Sequence, residues 1–246
     1  MIKYRKDPDL ELMQFCDNED LEILVDYLTK NKEGELRFSE KLTLENRFKN
    51  CHGNYKQVWY LIAGELQLFG ADTVSTFFRG GKGVFYREIL IDVCKHLKVK
   101  VGKKSETSKI EEALLLKVIE KALDKMTEKE KIEFTKTVHI DPSNLSVVEI
   151  MAALQAAIRS GGFASYQIAI IVANNVARTL VGKGLAFTAN VAFTTRYMVF
   201  FSGPIGWVIS GLLSLPMISG PAYRVTIPSV IQIAYMRQKY KHKAAL

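Results

Sequence analysis

Apolar residues recur at intervals of three and four along almost all of this 246-residue chain, the period of amphipathic helices. Asp7-Pro8-Asp9 supplies a helix cap with proline at the first helical position, ahead of Leu10, Met13 and Phe15. Asp17 to Asp20 restarts the pattern, with cap residues and first-turn acids preceding Leu21, Leu24, Val25 and Leu28. Residues 7–30 therefore read as two short helices joined by a tight turn and ended by Asn31-Lys32-Glu33-Gly34. Ser39 caps a weakly periodic stretch through Phe48, and Val58, Leu61, Ile62, Glu65 and Leu66 mark one face of a helix from Asn54 to Leu68 that Gly70 stops.

A helix is predicted from Asp72 to Arg79, a hinge at Gly80-Gly81-Lys82-Gly83, and a helix from Val84 to Leu97 with Ile89, Val93 and Leu97 on one stripe. After a lysine-rich linker from Lys98 to Thr107, Ser108 to Lys125 forms an amphipathic helix. Thr127 with Glu130 and Ser146 with Glu149 are capping boxes, which open helices to Thr137 and Arg159. Asp141 to Asn144 punctuates the stretch between them, and Gly161-Gly162 sets a boundary. Beyond it come apolar blocks from Ala164 to Leu180, Leu185 to Phe201 and Ile205 to Ser219, then a last helix to about Lys241. The predicted class is all-α, a bundle with an N-terminal amphipathic region and a C-terminal apolar helical hairpin, a layout like that of the colicin pore-forming domains. Three regions follow: a helical-hairpin motif over 1–35, an amphipathic region over 36–159, and an apolar, basic region over 160–246.

Charge sharpens this division. The last acidic residue is Glu149; the 97 residues after it carry nine Lys or Arg and no Asp or Glu. The remaining 25 basic and 26 acidic side chains balance within residues 1–149, so the net charge of +8 originates in the C-terminal part. Between Arg159 and Arg224 only Arg178, Lys183 and Arg196 interrupt the apolar sequence. A basic, acid-free, apolar segment suits an anionic lipid surface, because Lys and Arg stems can snorkel where carboxylates find no partner.

Three arrangements accommodate the apolar blocks. An apolar hairpin can be sheathed by the upstream helices and open onto a bilayer, or it can sit in the bilayer permanently. The third arrangement is an ordinary α domain with core helices that are apolar all round. Each block has about 15–18 residues, at or just under the length of a spanning helix, and Pro204, Pro216 and Pro221 divide the longest charge-free run. In the membrane readings Ile205, Trp207, Leu212 and Leu213 insert, Gly203, Gly206 and Gly211 allow close hairpin packing around a tip at Ser202 to Pro204, and Arg224, Arg237, Lys239 and Lys241 meet lipid headgroups. The start of the chain has no apolar leader, which places it on the cytosolic side, attached peripherally or integrally to the inner membrane, with oligomers forming there.

Searching for chemistry yields no enzyme. Gly80 to Gly83 lacks the spacing of a phosphate loop, and no Gly-x-Ser-x-Gly or His-Glu-x-x-His pattern occurs. Cys51-His52 and Cys94-Lys95-His96 match no zinc spacing, so neither metal nor cofactor is expected, and Cys16, Cys51 and Cys94 read as reduced, buried thiols. Acids on amphipathic faces, Glu111, Glu112 and Glu120 among them, read as solvated. Positive charge dispersed through apolar sequence argues against nucleic acid as a partner.

Several runs carry a family resemblance: Tyr4-Arg-Lys-Asp-Pro-Asp-Leu-Glu, Cys16-Asp-Asn-Glu-Asp-Leu, Phe69-Gly-Ala-Asp-Thr, Phe78-Arg-Gly-Gly-Lys-Gly, Asp92-Val-Cys, Gly203-Pro-Ile-Gly-Trp and Gly220-Pro-Ala-Tyr-Arg-Val-Thr-Ile-Pro. In these the chain resembles the YaaW-like bacterial proteins of the UPF0174 type, some of which are labelled ubiquinol–cytochrome c chaperone-like. The resemblance implies one recurrent architecture over nearly the whole chain and brings no catalytic residues. Its chaperone label implies assembly of a respiratory complex. The first expectation is thus a membrane-binding or membrane-inserting helical protein, with a pore as one form of insertion. The alternatives are an assembly chaperone or interaction protein for a membrane complex, with 1–149 gripping a protein partner, and a soluble helical domain of other role.

Overall fold

Helix starts fall where the capping residues put them. Thr127 Oγ1 accepts the Glu130 N–H at 3.3 Å while the Glu130 carboxylate accepts the Thr127 N–H at 2.8 Å, which opens a helix over Glu128–Thr137. Ser146 Oγ accepts the Glu149 N–H at 3.3 Å at the head of Val147–Ser160. The computed structural model describes residues 1–31, 33–37, 39–70, 83–102, 104–160, 163–182, 203–213 and 223–244. Among them every regular element is helical except one isolated antiparallel bridge, Lys30 to Leu36, and the class is all-α.

α1 (Asn18–Thr29) starts directly after Asp17 as expected, whereas Asp7-Pro8-Asp9 forms a turn rather than a helix start and leads into a 3₁₀ turn at Glu11–Phe15. The stretch from Ser39 to Phe48 is broken into a 3₁₀ turn at Leu42–Leu44 and a single turn, α2 (Asn46–Lys49). Another 3₁₀ turn at Tyr55–Val58 runs into α3 (Trp59–Phe69). Then follow α4 (Tyr86–His96), α5 (Thr107–Leu123), α6 (Glu128–Thr137), α7 (Val147–Ser160), α8 (Phe163–Val181), α9 (Pro204–Leu213) and α10 (Tyr223–Ala244). The expected helix Asp72–Arg79, the hinge glycines Gly80 and Gly81, Gly161-Gly162, the apolar block Leu185–Phe201, Ser202 at the hairpin tip, and Pro216 and Pro221 lie outside the described residues.

The most extensive helix pairing joins α8 to α10, and α10 also packs against α1, α3, α4 and α5. Every residue of α10 from Val225 to Met236 is buried. A helix that is apolar all round is expected at the centre of a bundle, and that is where this one lies: Val225, Ile227, Val230, Ile231, Ile233 and Ala234 are core residues. Each buried aliphatic side chain of this size contributes about 1.5–3 kcal/mol relative to exposure. α9, the described arm of the expected apolar hairpin, lies on α5 and α8 rather than apart from the bundle.

Two glycines allow backbone crossings. A Cβ on Gly64 in α3 would meet Ile2 and Tyr4, so the N-terminal segment crosses α3 there. Gly83, read from the sequence as part of a hinge, is packed so closely that a Cβ would overlap the Gln67 carbonyl, next to the bond from the Val84 N–H to that carbonyl at 3.1 Å.

One acid of α3 faces inward. Glu65 Oε1 accepts the Lys41 N–H at 2.7 Å, while Oε2 is buried without a hydrogen-bond partner. Burial pushes this carboxyl up to about 7. The folded state therefore keeps a proton that the unfolded state releases near pH 4.5, and this group's contribution to stability falls as pH rises from about 4.5 to 7. Replacing Glu65 with Gln should raise stability at pH 8 by roughly 1–3 kcal/mol, with the gain shrinking toward pH 4.5. Urea unfolding of both proteins at several pH values checks this; a gain independent of pH would refute it.

Candidate functional site

Four segments distant in sequence converge on the C-terminal half of α10. Arg237 donates from Nε to Glu111 Oε2 of α5 at 2.8 Å and from Nη2 to the Asp9 carbonyl at 2.7 Å. Glu111 is fully buried, and its other oxygen accepts the Tyr86 hydroxyl of α4 at 2.7 Å. The Tyr86 N–H donates to Asp7 Oδ2 at 2.7 Å, and Thr107 Oγ1 donates to Asp9 Oδ2 at 2.8 Å. Gln67 of α3 closes the set by exchanging two hydrogen bonds with the Arg5 backbone, both at 2.9 Å. Burial pushes the Glu111 carboxyl above its ordinary range and Arg237 pulls against it.

Two residues further on, Lys239 Nζ lies 2.7 Å from Asp20 and 2.8 Å from Asp17, and a turn beyond it Lys243 Nζ lies 2.8 Å from Asp17. Gln232 Nε2 donates to the Asp20 carbonyl at 3.0 Å. Burial works against the Asp17 charge, but the hydrogen bonds from the two lysines outweigh it and hold the carboxyl at about 2. Asp17 precedes α1 and Asp20 sits in its first turn, where the helix dipole also favours negative charge.

The remaining residues singled out in the sequence are spread over the surface and the core. Ile205 is fully buried, whereas Trp207, two positions along α9, is 67% exposed. Gly206 is buried, and a Cβ there would lie 3.5 Å from Thr179 Oγ1 of α8. Gly203 precedes α9 with only the Trp207 ring at its side, and a Cβ on Gly211 would meet open space. Leu212 and Leu213 end α9. Arg224 is exposed in the first turn of α10, and Lys241 is exposed without an ion pair among the described residues. The three cysteines are buried and unpaired, and burial pushes the Cys16 and Cys94 thiols up to about 12, away from the reactive thiolate. Among the described residues no group of three or more His, Cys, Asp and Glu could hold a metal ion.

Sequence reasoning missed the inward role of Glu111, Tyr86, Asp7 and Asp9. A signal existed for Glu111: Leu114, Leu115, Val118 and Ala122 continue its stripe at helical spacing and are all buried, so position 111 lies on the apolar face of α5.

Fold and the polar cluster on α10 together define an all-α bundle closed by its C-terminal helix, with no recognisable catalytic apparatus among the described residues. Residues 54–231 match the family described as ubiquinol–cytochrome c chaperone, and residues 4–38 match a domain of unknown function, DUF3944. A UPF0174 protein of Helicobacter pylori is 41% identical over 239 residues, covering 97% of this chain and 94% of that protein. The UPF0174 protein YaaW of Escherichia coli is 34% identical over 242 residues, covering 96% of each. No solved structure matches. The chain belongs to the UPF0174 family.

These findings overturn the membrane reading, and with it anionic lipid as partner, attachment to the inner membrane and pore formation. Among the described residues no helix is long and apolar enough to cross a membrane, and the matching family is described as a chaperone. The physical reason is visible in α10. Its apolar length is the core of the bundle, and Arg237, Lys239 and Lys243 neutralise Glu111, Asp20 and Asp17 of the first half of the chain instead of facing lipid phosphates.

Removing one member of a buried ion pair leaves the other charge uncompensated, at a cost of roughly 3–5 kcal/mol. Arg237→Gln should lower the unfolding free energy by about that amount, whereas Lys241→Gln should stay within about 0.5 kcal/mol. Joint replacement of Glu111 by Leu and Arg237 by Met should recover much of the loss. Urea midpoints measured by circular dichroism decide between these values; an Arg237→Gln loss below about 1 kcal/mol would show the pair to be solvated.

Proposed function

We propose that this protein acts as a chaperone-type interaction protein that binds a partner polypeptide, with a component of a ubiquinol–cytochrome c complex as the partner class. The observation that carries the reading is the match of residues 54–231 to a family described as a ubiquinol–cytochrome c chaperone, a span running from the approach to α3 to the middle of α10. Surface chemistry supports it. With Arg237 and Lys239 engaged internally, the most exposed aromatic side chain among the described residues is Trp207, mounted on a helix whose Ile205 and Gly206 are buried. Exposed tryptophan on a rigid helix is the residue type that most often dominates protein–protein binding energy.

The expectation that residues 1–149 alone grip the partner changes in form. α10 fills the space between α1, α3, α4, α5 and α8, so a fragment ending at 149 would lack the centre of its own core. Binding is therefore a property of the full chain.

A photo-crosslinking amino acid at position 207 of the tagged, full-length protein in its native cells tests the proposal. We expect it to capture a subunit of a ubiquinol–cytochrome c complex, and we expect the assembled amount of that complex to fall when the chain is deleted. Trp207→Ser should weaken the purified interaction about tenfold or more, as for a tryptophan that contributes ~2 kcal/mol to binding. Capture of no such subunit, together with unchanged assembly on deletion, would overturn it.

A further inference from the structure

A cavity of about 580 Å³ opens between the first residues of the chain, the 3₁₀ turn at Leu42–Leu44 with α2, and the start of α3. Met1, Ile2, Leu44, Tyr60 and Leu61 supply the apolar part of its lining. Ile2 and Leu61 are buried at its depth, whereas Leu44 and Met1 stand out into solvent at its mouth. The 3₁₀ turn accounts for the contrast with Leu42, which it places fully in the core while Leu44 stays 69% exposed. A buried apolar floor that continues into exposed aliphatic side chains is a surface that an apolar ligand would shield from water.

Two cations stand beside these apolar groups. Lys41 and Arg47 line the cavity, both are exposed, and neither forms an ion pair among the described residues. The carboxylate in the lining, Glu45, is already engaged, since it accepts the Ile2 N–H and lies 3.5 Å from the Met1 amine. Two further acids, Glu40 and Glu65, are buried outside the lining, where Glu40 accepts the Thr43 N–H at 2.9 Å and Glu65 the Lys41 N–H at 2.7 Å. The second of these bonds fixes the backbone at Lys41. Arg47 Nη1 donates to the Tyr60 hydroxyl at 3.2 Å, and the Tyr60 ring meets Trp59 edge-on at 6.4 Å, so the guanidinium is held against the aromatic part of the lining. Its other donors and the Lys41 ammonium are left to solvent or to a ligand.

We propose that this cavity binds a medium-chain fatty acid as a single molecule taken from solution, with its aliphatic chain against Ile2, Leu44 and Leu61 and its carboxylate held by Arg47 and Lys41. The volume lies within the range of small-molecule sites. A planar carboxylate fits the fork of a guanidinium, and it would complete the charge balance that Glu45 does not supply. An aliphatic chain also suits the interior better than a peptide does. A peptide would bring backbone amides that need partners, and the Glu45 carboxylate and Tyr60 hydroxyl are already engaged. The site is independent of the partner-binding reading, since Trp207 does not line it.

Titration calorimetry of the full-length protein at neutral pH, with octanoate, octanol and acetate as ligands, is the test. Octanoate should bind at a single site, octanol about fivefold or more weaker for want of the charge, and acetate not measurably for want of the chain. Joint replacement Lys41→Gln and Arg47→Gln should weaken octanoate about fivefold or more and leave octanol unchanged. The unfolding midpoint of that variant should match the parent, because both side chains are exposed. Leu44→Asn should weaken octanoate and octanol alike. No saturable binding of octanoate, or octanol binding as tightly, would overturn the proposal. So would an octanoate affinity that the double replacement leaves unchanged, which would mark an adventitious additive only, or tighter binding of a short peptide ending in leucine, which would make the occupant a polypeptide.

Discussion

The architecture depends on the contact between Glu111 and Arg237. Glu111 has no exposure to water, so its charge is tolerable only because Arg237 and the Tyr86 hydroxyl occupy both carboxylate oxygens. Arg237 in turn holds the Asp9 carbonyl, and Tyr86 holds Asp7. A shift of α10 by one residue would turn Arg237 about 100° away from α5 and strand a buried carboxylate. The pair is best understood as fixing register. Exchanged for well-packed apolar residues it would sacrifice little stability, but nothing would then select this alignment of α10 against α5 and the N-terminal segment.

The same logic changes the meaning of the charge distribution. A run without acids looks like a surface for anionic lipid when neighbours are sought along the chain. In the folded protein the neighbours of α10 are α1 and α5, and both supply carboxylates: Asp17 and Asp20 from one, Glu111 from the other. Among the described residues, α8 and α10 of the acid-free region and the helices of the near-neutral remainder are complementary parts of one core. Composition by region could establish that the charges were separated, not that folding would bring them together.

What was legible in the sequence was local. Capping boxes at Thr127 and Ser146, the cap at Asp17 and the three-to-four spacing placed most helix starts within a residue or two, because those signals act within one turn. The Ser39 to Phe48 stretch, with weak periodicity, broke into a 3₁₀ turn and a single helical turn. The sites were illegible for a different reason. Arg237 and Glu111 are separated by 126 positions, and Lys239 and Asp20 by 219. Glu111 was nonetheless marked by its place on a stripe of buried leucines, and an acid at an apolar position is a sign of a buried partner.

Movement of α10 onto a bilayer surface, with its basic residues on lipid headgroups, would require these contacts to open, and the magnitudes show why the closed bundle prevails. Withdrawing Arg237 leaves Glu111 with a buried charge, and withdrawing Lys239 does the same to Asp20, which is 2% exposed. Breaking a buried pair costs roughly 3–5 kcal/mol, a large share of the 5–15 kcal/mol by which a typical domain is stable. The apolar surface of α10 offers no compensating gain, since Val225 to Met236 are already shielded from water. Transfer to lipid would exchange one apolar environment for another while forfeiting the ion pairs. The hydrophobicity of α10 has already been satisfied by folding, and Arg237, Lys239 and Lys243 beside it belong to the acids they neutralise.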